Sequence, residues 1–246
     1  KRAVNDGFSQ GGMITGYYDG GYLQTWGLCS GFISAGGTIA FNHATGYNKD
    51  DFSMDSLKEH AANYPEGALL SIFSGDYVHW YFDGLKGVFG ENHLPVYLPP
   101  FAQEESMLKE AVHPGGTIRG IAAWSSQLDI PANKLFVETI ESTGRTANLF
   151  SLLGWEGALL AVYASDLMLE QKNNVQAVSD AMMDFSFDGP RGTVSFHVPT
   201  RHTIGPLFET TVQKDENGAC SLLVEKNVED PHSDFEQFIT ISTENA

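Results

Sequence analysis

Residues 68–98 read ALLSIFSGDYVHWYFDGLKGVFGENHLPVYL, and this stretch decides the fold. An apolar run at 68–73 is followed by small residues and then by aromatic and aliphatic side chains at helical spacing over 77–89. A second apolar run at 94–98 ends at Pro99. The stretch therefore predicts a strand, a helix and a strand with short connections, which is the repeating unit of parallel sheets.

The same alternation continues on both sides of this stretch. Further strands are predicted at 12–17, 38–41 and 118–123, and helices at 22–34, 51–64, 106–112, 131–140, 149–169 and 175–185. The helix at 149–169 is expected to be mostly buried. Strand-like segments are predicted at 193–197, 207–213 and 221–224, and a hairpin-type turn at 215–218 lies between the last two. We therefore expect an α/β fold with a doubly wound, mostly parallel sheet and a short antiparallel hairpin near the C-terminus.

Composition excludes several classes of protein. The 246 residues are 42% hydrophobic, enough for a core, and the net charge of −17 would repel nucleic acid or an anionic membrane. The most apolar run, 152–169, contains Glu156 and Asp166, so no membrane span is predicted. The first residues, Lys-Arg-Ala-Val-Asn, do not have the pattern of a signal peptide.

Candidate ligand-binding residues follow the predicted strands. Ligands of open α/β sheets bind outside the carboxyl ends of the strands, where helix N-termini offer N–H groups to a carboxylate. The side chains expected there are Tyr18, Asp19, Tyr22, Ser74, Asp76, Tyr77, Phe101 and Trp124. The aromatic rings would supply apolar walls, and Asp19 or Asp76 would face an ammonium group. Alternatively, the rings cap the core and the aspartates cap helices.

One motif raises the possibility of catalysis. Residues 27–31 (GLCSG) fit G-x-C-x-G, the cysteine form of a nucleophile elbow, which requires a strand directly before Cys29. A helix is predicted there instead, so Cys29 is expected to be a buried small hydrophobic residue. The histidines show no metal-ligand spacing and no nucleotide fingerprint is present, so neither a metal nor a cofactor is expected. Whether Cys29 and Cys220 form a disulfide is left open.

Four segments in register resemble type I periplasmic solute-binding proteins, the receptors of branched-chain amino-acid type ABC importers. Residues 185–213 (FSFDGPRGTVSFHVPTRHTIGPLFETTVQ) are similar to the closing segment of that family. The other segments are Tyr18-Asp19-Gly20-Gly21-Tyr22 with Ala35-Gly36-Gly37, Asp51-Phe52 with Leu57 and Tyr64-Pro65, and Pro131-Ala132-Asn133-Lys134 with 154–158 (GWEGA). Their order and spacing hold over nearly the whole chain. The resemblance implies Rossmann-like lobes joined by hinge crossovers.

The resemblance also implies a domain division. In the family a first lobe precedes the Tyr18 segment, so about a domain's worth of sequence, something like a hundred residues, is expected to be absent here. Residues 10–113 and 193–226 would form the second lobe, 116–190 would belong with the first lobe, and 227–246 would be an acidic tail.

Individual roles follow from the same comparison. Tyr22 matches the tyrosine that covers the ligand, Asp76 and Tyr77 match the position after a central strand, and Trp124 lies near a hinge aromatic. Phe101 lies where many members place a polar or acidic ligand contact, and its apolar side chain argues against recognition of an ammonium group at that point.

The resemblance implies a periplasmic or extracellular binding protein without catalytic activity. Its partners would be a small ligand, an amino acid or a related carboxylate or amide, and an ABC permease at the membrane. Two alternatives stay open: a small α/β hydrolase that uses Cys29, and the ligand-sensing domain of a signalling receptor. The sequence leaves the ligand and the oligomeric state open.

Overall fold

The structure, a computed structural model, describes residues 1–46, 49–73 and 77–232, without the side chains of Asp19 and Lys49. The chain divides into two compact units. The first contains the described residues of 1–122 and 209–225, and the second contains residues 123–208 and 226–232.

The described residues form ten strands and eight α-helices. The strands are β1 (Gln10–Gly16), β2 (Thr38–Thr45), β3 (Ala68–Ile72), β4 (Val96–Leu98), β5 (Ile118–Ala122), β6 (Phe187–Gly189), β7 (Gly192–His197), β8 (His202–Ile204), β9 (Phe208–Lys214) and β10 (Cys220–Asn227). The helices are α1 (Arg2–Asn5), α2 (Asp19–Ser34), α3 (Leu57–Ala62), α4 (Tyr77–Phe89), α5 (Glu105–Leu108), α6 (Pro131–Glu141), α7 (Leu149–Glu170) and α8 (Val175–Ala181). Short 3₁₀ turns occupy Lys49–Asp51, Pro100–Gln103 and Met182–Asp184.

The first unit is built on a seven-stranded sheet in the order β10-β9-β5-β4-β3-β1-β2. Strands β1 to β5 pair in parallel. All five residues of β3 are buried, with Leu69 in the cluster on one face of the sheet and Leu70 in the cluster on the other. Because helices cover both faces, a central strand is continuously apolar rather than alternating. The prediction of a doubly wound, mostly parallel sheet is confirmed.

The second unit contains helices α6 to α8 and the antiparallel sheet β6-β7-β8. Its core includes Trp124, Phe136 and Leu152. The two nitrogens Nε and Nη2 of Arg191 donate to the carboxylate of Glu156 at 2.8 Å each, which connects the β6–β7 hairpin to α7. Both side chains are nearly buried, so each charge depends on the other for stabilisation.

The unit boundaries differ from the predicted lobes at 193–208 and at 116–122, where β5 lies in the sheet of the first unit, and the division into lobes stays a prediction. The sequence comparison placed residues 193–208 with 10–113, whereas β7 hydrogen-bonds to β6 and β8 and belongs with the second unit. The comparison of motifs did not show that β7 pairs with its neighbours in sequence. This pairing places 193–208 in the second unit.

Two predicted helices differ in extent or burial. The helix expected over 51–64 begins at Leu57, because the N–H of Ser53 donates to Thr45 Oγ1 (2.7 Å) and that of Asp55 to Ser53 Oγ (3.3 Å). These side-chain hydrogen bonds hold the preceding residues in a non-helical turn.

The expectation that the helix at 149–169 is mostly buried is wrong. In α7, Val162 is 64% and Leu169 is 79% exposed, whereas only one side, including Leu152 and Leu167, is buried. Helix α7 is long and apolar enough to cross a bilayer by length and composition, a test that core helices of soluble proteins also pass.

Close packing between β4 and β5 depends on Gly120. A Cβ at this position would lie 2.3 Å from the Leu98 carbonyl oxygen and 2.3 Å from Gln103 Nε2. The buried Gln103 amide donates to Leu98 O (3.1 Å) and Ile121 O (2.9 Å) and accepts from Thr210 Oγ1 (2.5 Å). A side chain at position 120 would therefore disturb hydrogen bonds that connect β4, β5 and β9.

We expect Gly120→Ala to lower the free energy of unfolding by about 1–3 kcal/mol, because the methyl group meets backbone that cannot move aside. Gly87→Ala is the matched control: this α4 glycine has open space around it, so the alanine should be neutral or stabilise by up to about 1 kcal/mol. Urea denaturation followed by circular dichroism measures both. Equal stability of the two variants would contradict the packing described.

Candidate ligand site

The parallel pairing of β1 and β3 brings two tyrosines together in the first unit. Gly11 pairs with Ala68 and Thr15 with Ile72, so the two strands end side by side. Tyr17 and Tyr18 follow β1, and Tyr77 is the first residue of α4 after β3. Residues 74–76, which include the predicted Ser74 and Asp76, lie outside the described residues.

The rings of Tyr18 and Tyr77 lie parallel. Their centroids are 6.1 Å apart and the angle between their planes is 8°. The Tyr18 ring fits against the first turn of α2, where Cβ atoms on Gly20 and Gly21 would lie 3.1 and 2.9 Å from it. The two glycines therefore give this ring its position, which explains the Asp19-Gly20-Gly21 sequence at the start of the helix.

Tyr77 is supported by further aromatic rings. It packs edge-on against Trp80 with centroids 4.9 Å apart, and Trp80 packs against Phe52 at 6.1 Å. Phe52 in turn contacts the buried Phe73, which stacks on Tyr81. Edge-to-face and stacked pairs of this kind favour defined ring orientations. We call this set of rings, from Tyr77 through Trp80, Phe52 and Phe73 to Tyr81, the aromatic wall.

The base of this wall is anchored in the core. Tyr81 is fully buried and its hydroxyl hydrogen-bonds to the hydroxyl of Ser71 in β3. Burial raises the pKa of the Tyr81 phenol, so it stays neutral over the physiological range. The ring nearest the core is structural, whereas Tyr77 is partly exposed.

The N-terminus of α2 lies directly beside Tyr18. Tyr18 is the N-cap residue and makes no side-chain capping hydrogen bond, and the N–H of Tyr22 donates to Tyr18 O at 3.2 Å. The N–H groups of residues 19–21 precede that first intrahelical bond, so they have no partner within the helix. This end of the helix carries partial positive charge and suits a carboxylate.

The remaining predicted residues are placed differently. Tyr22 is 57% exposed on α2, and Phe101 is 39% exposed in the 3₁₀ turn after β4. The backbone of Asp19 begins α2, and its side chain is not described. Trp124 belongs to the second unit and is buried there, and its indole N–H donates to Asn133 Oδ1 at 2.7 Å. A ligand role for these residues stays a prediction.

Phe52 and Trp80 were absent from the predicted site. Trp80 lies three residues after Tyr77 on α4, so helical spacing could have identified it. Phe52 precedes α3 in the non-helical turn, and its place against Trp80 depends on long-range packing.

The structure contradicts the nucleophile-elbow alternative. Cys29 lies inside α2, ten residues after its first residue, and not between a strand and a helix. Burial raises the pKa of its thiol, which lowers the fraction of nucleophilic thiolate at neutral pH. Cys29 and Cys220 are both free thiols. Among residues 1–46, 49–73 and 77–232 there is no cluster of three or more potential metal ligands.

Comparison with known proteins gives structural neighbours only. No protein-family profile matches the sequence, and no curated protein matches it. An ABC transporter substrate-binding protein from Sphaerobacter thermophilus superimposes with a TM-score of 0.80 at 18% identity, covering 92% of this chain and 62% of that one.

Two neighbours from Rhodopseudomonas palustris extend the comparison. The first, from strain BisB5, is a solute-binding protein in complex with 3,4-dihydroxybenzoic acid, with a TM-score of 0.74, 16% identity, and coverage of 94% and 64%. The second, from strain CGA009, is a branched-chain amino acid transporter protein, with a TM-score of 0.68, 16% identity, and coverage of 92% and 62%. The chain therefore has the type I periplasmic-binding-protein fold, as predicted, and spans a little over three fifths of the neighbours' length.

The raised pKa of Cys29 predicts slow alkylation. In a Cys220→Ser variant, iodoacetamide should modify Cys29 more slowly than it modifies glutathione at pH 7, and the rate should rise as the pH increases toward 9. The urea-unfolded variant is the control and should react at the rate of an ordinary thiol. Rapid modification at pH 7 that does not change with pH would indicate a thiolate and contradict this assignment.

Proposed function

We propose that this chain is part of an extracytoplasmic solute-binding protein of an ABC importer, which binds a small ligand and delivers it to a permease. The fold supports this role, and the three neighbours described above carry substrate-binding or transporter names. The candidate site supplies aromatic rings and a helix N-terminus, which suit reversible binding. The proposed role is binding and delivery of the ligand, without catalysis.

One observation carries the proposal: the parallel Tyr18 and Tyr77 rings next to the N-terminus of α2. Rings present faces to a flat, apolar group, and the N–H groups of the helix suit an anionic one. Both requirements are met by a small carboxylate with an aromatic or otherwise apolar body.

Within this class, an aromatic carboxylate is favoured over an amino acid. Phe101, which is partly exposed, offers no charge to an ammonium group, although it lies where the family resemblance led us to expect a polar contact. Solved neighbours include solute-binding proteins in complex with benzoate and with 4-hydroxybenzoate. Benzoates are therefore the first probes, with leucine as the amino-acid comparison.

The part of the fold that the neighbours have and this chain does not span would close over the site in the whole protein. In the second unit, the exposed apolar side of α7, including Leu153, Val162 and Leu169, is a separate surface of the kind that a further part of the protein would cover.

We expect benzoate or 4-hydroxybenzoate to bind and to change tryptophan fluorescence. Trp80 contacts Tyr77, so a ligand against that ring alters the surroundings of the indole. Tyr77→Ala should weaken binding by about tenfold, equivalent to about 1.4 kcal/mol, whereas Tyr77→Phe keeps the ring and should bind nearly as well. Isothermal titration calorimetry measures the affinities.

Two further variants identify the reporter. Trp80→Phe should abolish the fluorescence change, and Trp124→Phe should preserve it, because Trp124 is buried in the second unit. Tighter binding of leucine than of benzoates would overturn the ligand class. Binding that is unaffected by Tyr77→Ala would overturn the site.

A further inference from the structure

Helix α2 carries an apolar face that points away from the sheet. Leu23 is 78% exposed, Trp26 is 54% exposed and Ile33 is 55% exposed, although all three side chains are large and apolar. The opposite side packs on the sheet through Phe32, which is 2% exposed. An exposed face of this composition is typical of an interaction surface.

The face is bulky at one end and small at the other. At helical spacing its members are Leu23, Trp26, Gly27, Ser30, Ile33 and Ser34. No atom lies within 4 Å of a Cβ built on Gly27 or on Gly31 at its border. The N-terminal half therefore projects large side chains, and the C-terminal half, apart from Ile33, leaves space for them.

Such a face is complementary to itself when reversed. In an antiparallel helix pair with a twofold axis near residues 28–29, Leu23 of each copy lies opposite Ser34 of the other, and Trp26 lies opposite Gly31. The large side chains of each helix then pack over the small residues of the other. Both copies use the same surface, as in the isologous interface of a C2 dimer.

Charge favours a second copy of this chain over another partner. Residues 20–48, which contain nearly all of α2 and the edge strand β2, include no Asp, Glu, Lys or Arg, although the chain carries 45 such residues. An oppositely charged partner gains nothing from this surface, whereas two copies of charge −17 can meet here without placing charges in contact. Edge strand β2 also lacks the charged side chains that commonly prevent pairing of edges.

We propose that this chain forms a homodimer through antiparallel packing of α2 against α2 of a second copy. The contact is independent of the proposed ligand function. A single helix pair buries less than a standard interface of about 800 Å² per partner, so we expect a dissociation constant on the order of micromolar. Because salt screens the repulsion between the copies, dimerisation should strengthen as ionic strength rises.

Sedimentation velocity of the 246-residue chain between micromolar and submillimolar concentration tests the proposal. Leu23→Lys should raise the dissociation constant at least tenfold, because it buries a charge against Ser34 of the second copy. Leu135→Lys on α6, where the side chain is 60% exposed, and Val162→Lys on α7 are the controls and should leave the dimer intact. Circular dichroism confirms that each variant is folded.

A second variant tests the antiparallel arrangement. Leu23→Lys combined with Ser34→Glu should restore the dimer, because each Lys then meets a Glu of the other copy. The two positions lie eleven residues, about 16 Å, apart on one helix and cannot pair within a chain. A monomer at every concentration, association that persists in Leu23→Lys, dissociation by Val162→Lys, or failure of the double variant to restore the dimer would each overturn the proposal.

Discussion

The parallel register of β1 with β3 is the constraint on which the rest of the first unit depends. Because Gly11 pairs with Ala68 and Thr15 with Ile72, both strands end at the same edge of the sheet. The chain must leave each strand there and return through a helix, and right-handed crossovers place those helices on the faces of the sheet. The stacking of Tyr18 on Tyr77 and the position of the α2 N-terminus both follow from this register.

Burial of β3 on both faces explains why the register is fixed. Leu69 packs into one cluster and Leu70 into the other, and the buried Ser71 hydroxyl hydrogen-bonds to Tyr81, so a shift by one position would separate this hydroxyl from its partner. The aromatic wall continues from this core, since Phe73 directly follows β3 and stacks on Tyr81. The outer ring, Tyr77, is thereby held by contacts that begin in the apolar centre of the sheet.

The fold class could be predicted from the sequence because alternating strand and helix patterns are local. The strand at 68–72 and the helix beginning at Pro131 follow from composition, spacing and the proline at the first helical position. Tyr18 and Tyr77 were predicted separately, as residues at strand ends. Their parallel stacking and the contact of Phe52 with Trp80 depend on residues distant in sequence, which no local pattern contains.

Burial was predicted less well than helix formation, for a physical reason. Helix α7 is apolar on most sides, and hydrophobicity without a clear stripe does not indicate which side is covered. Here the buried side carries Leu152, which packs in the core of the second unit, and Glu156, which pairs with Arg191 of the β6–β7 hairpin. Val162 lies off this side and is exposed.

The proposed carboxylate ligand would have to bind to a chain that is itself anionic. At physiological ionic strength, charges more than about 8 Å away are largely screened, so the residues around the site matter more than the total of −17. Asp19, the first residue of α2, is an acidic residue at this end of the helix, whereas residues 20–48 contribute no Asp or Glu. The residues of α2 after Asp19 therefore add no negative charge near this helix end, and the same uncharged surface is the one proposed for self-association.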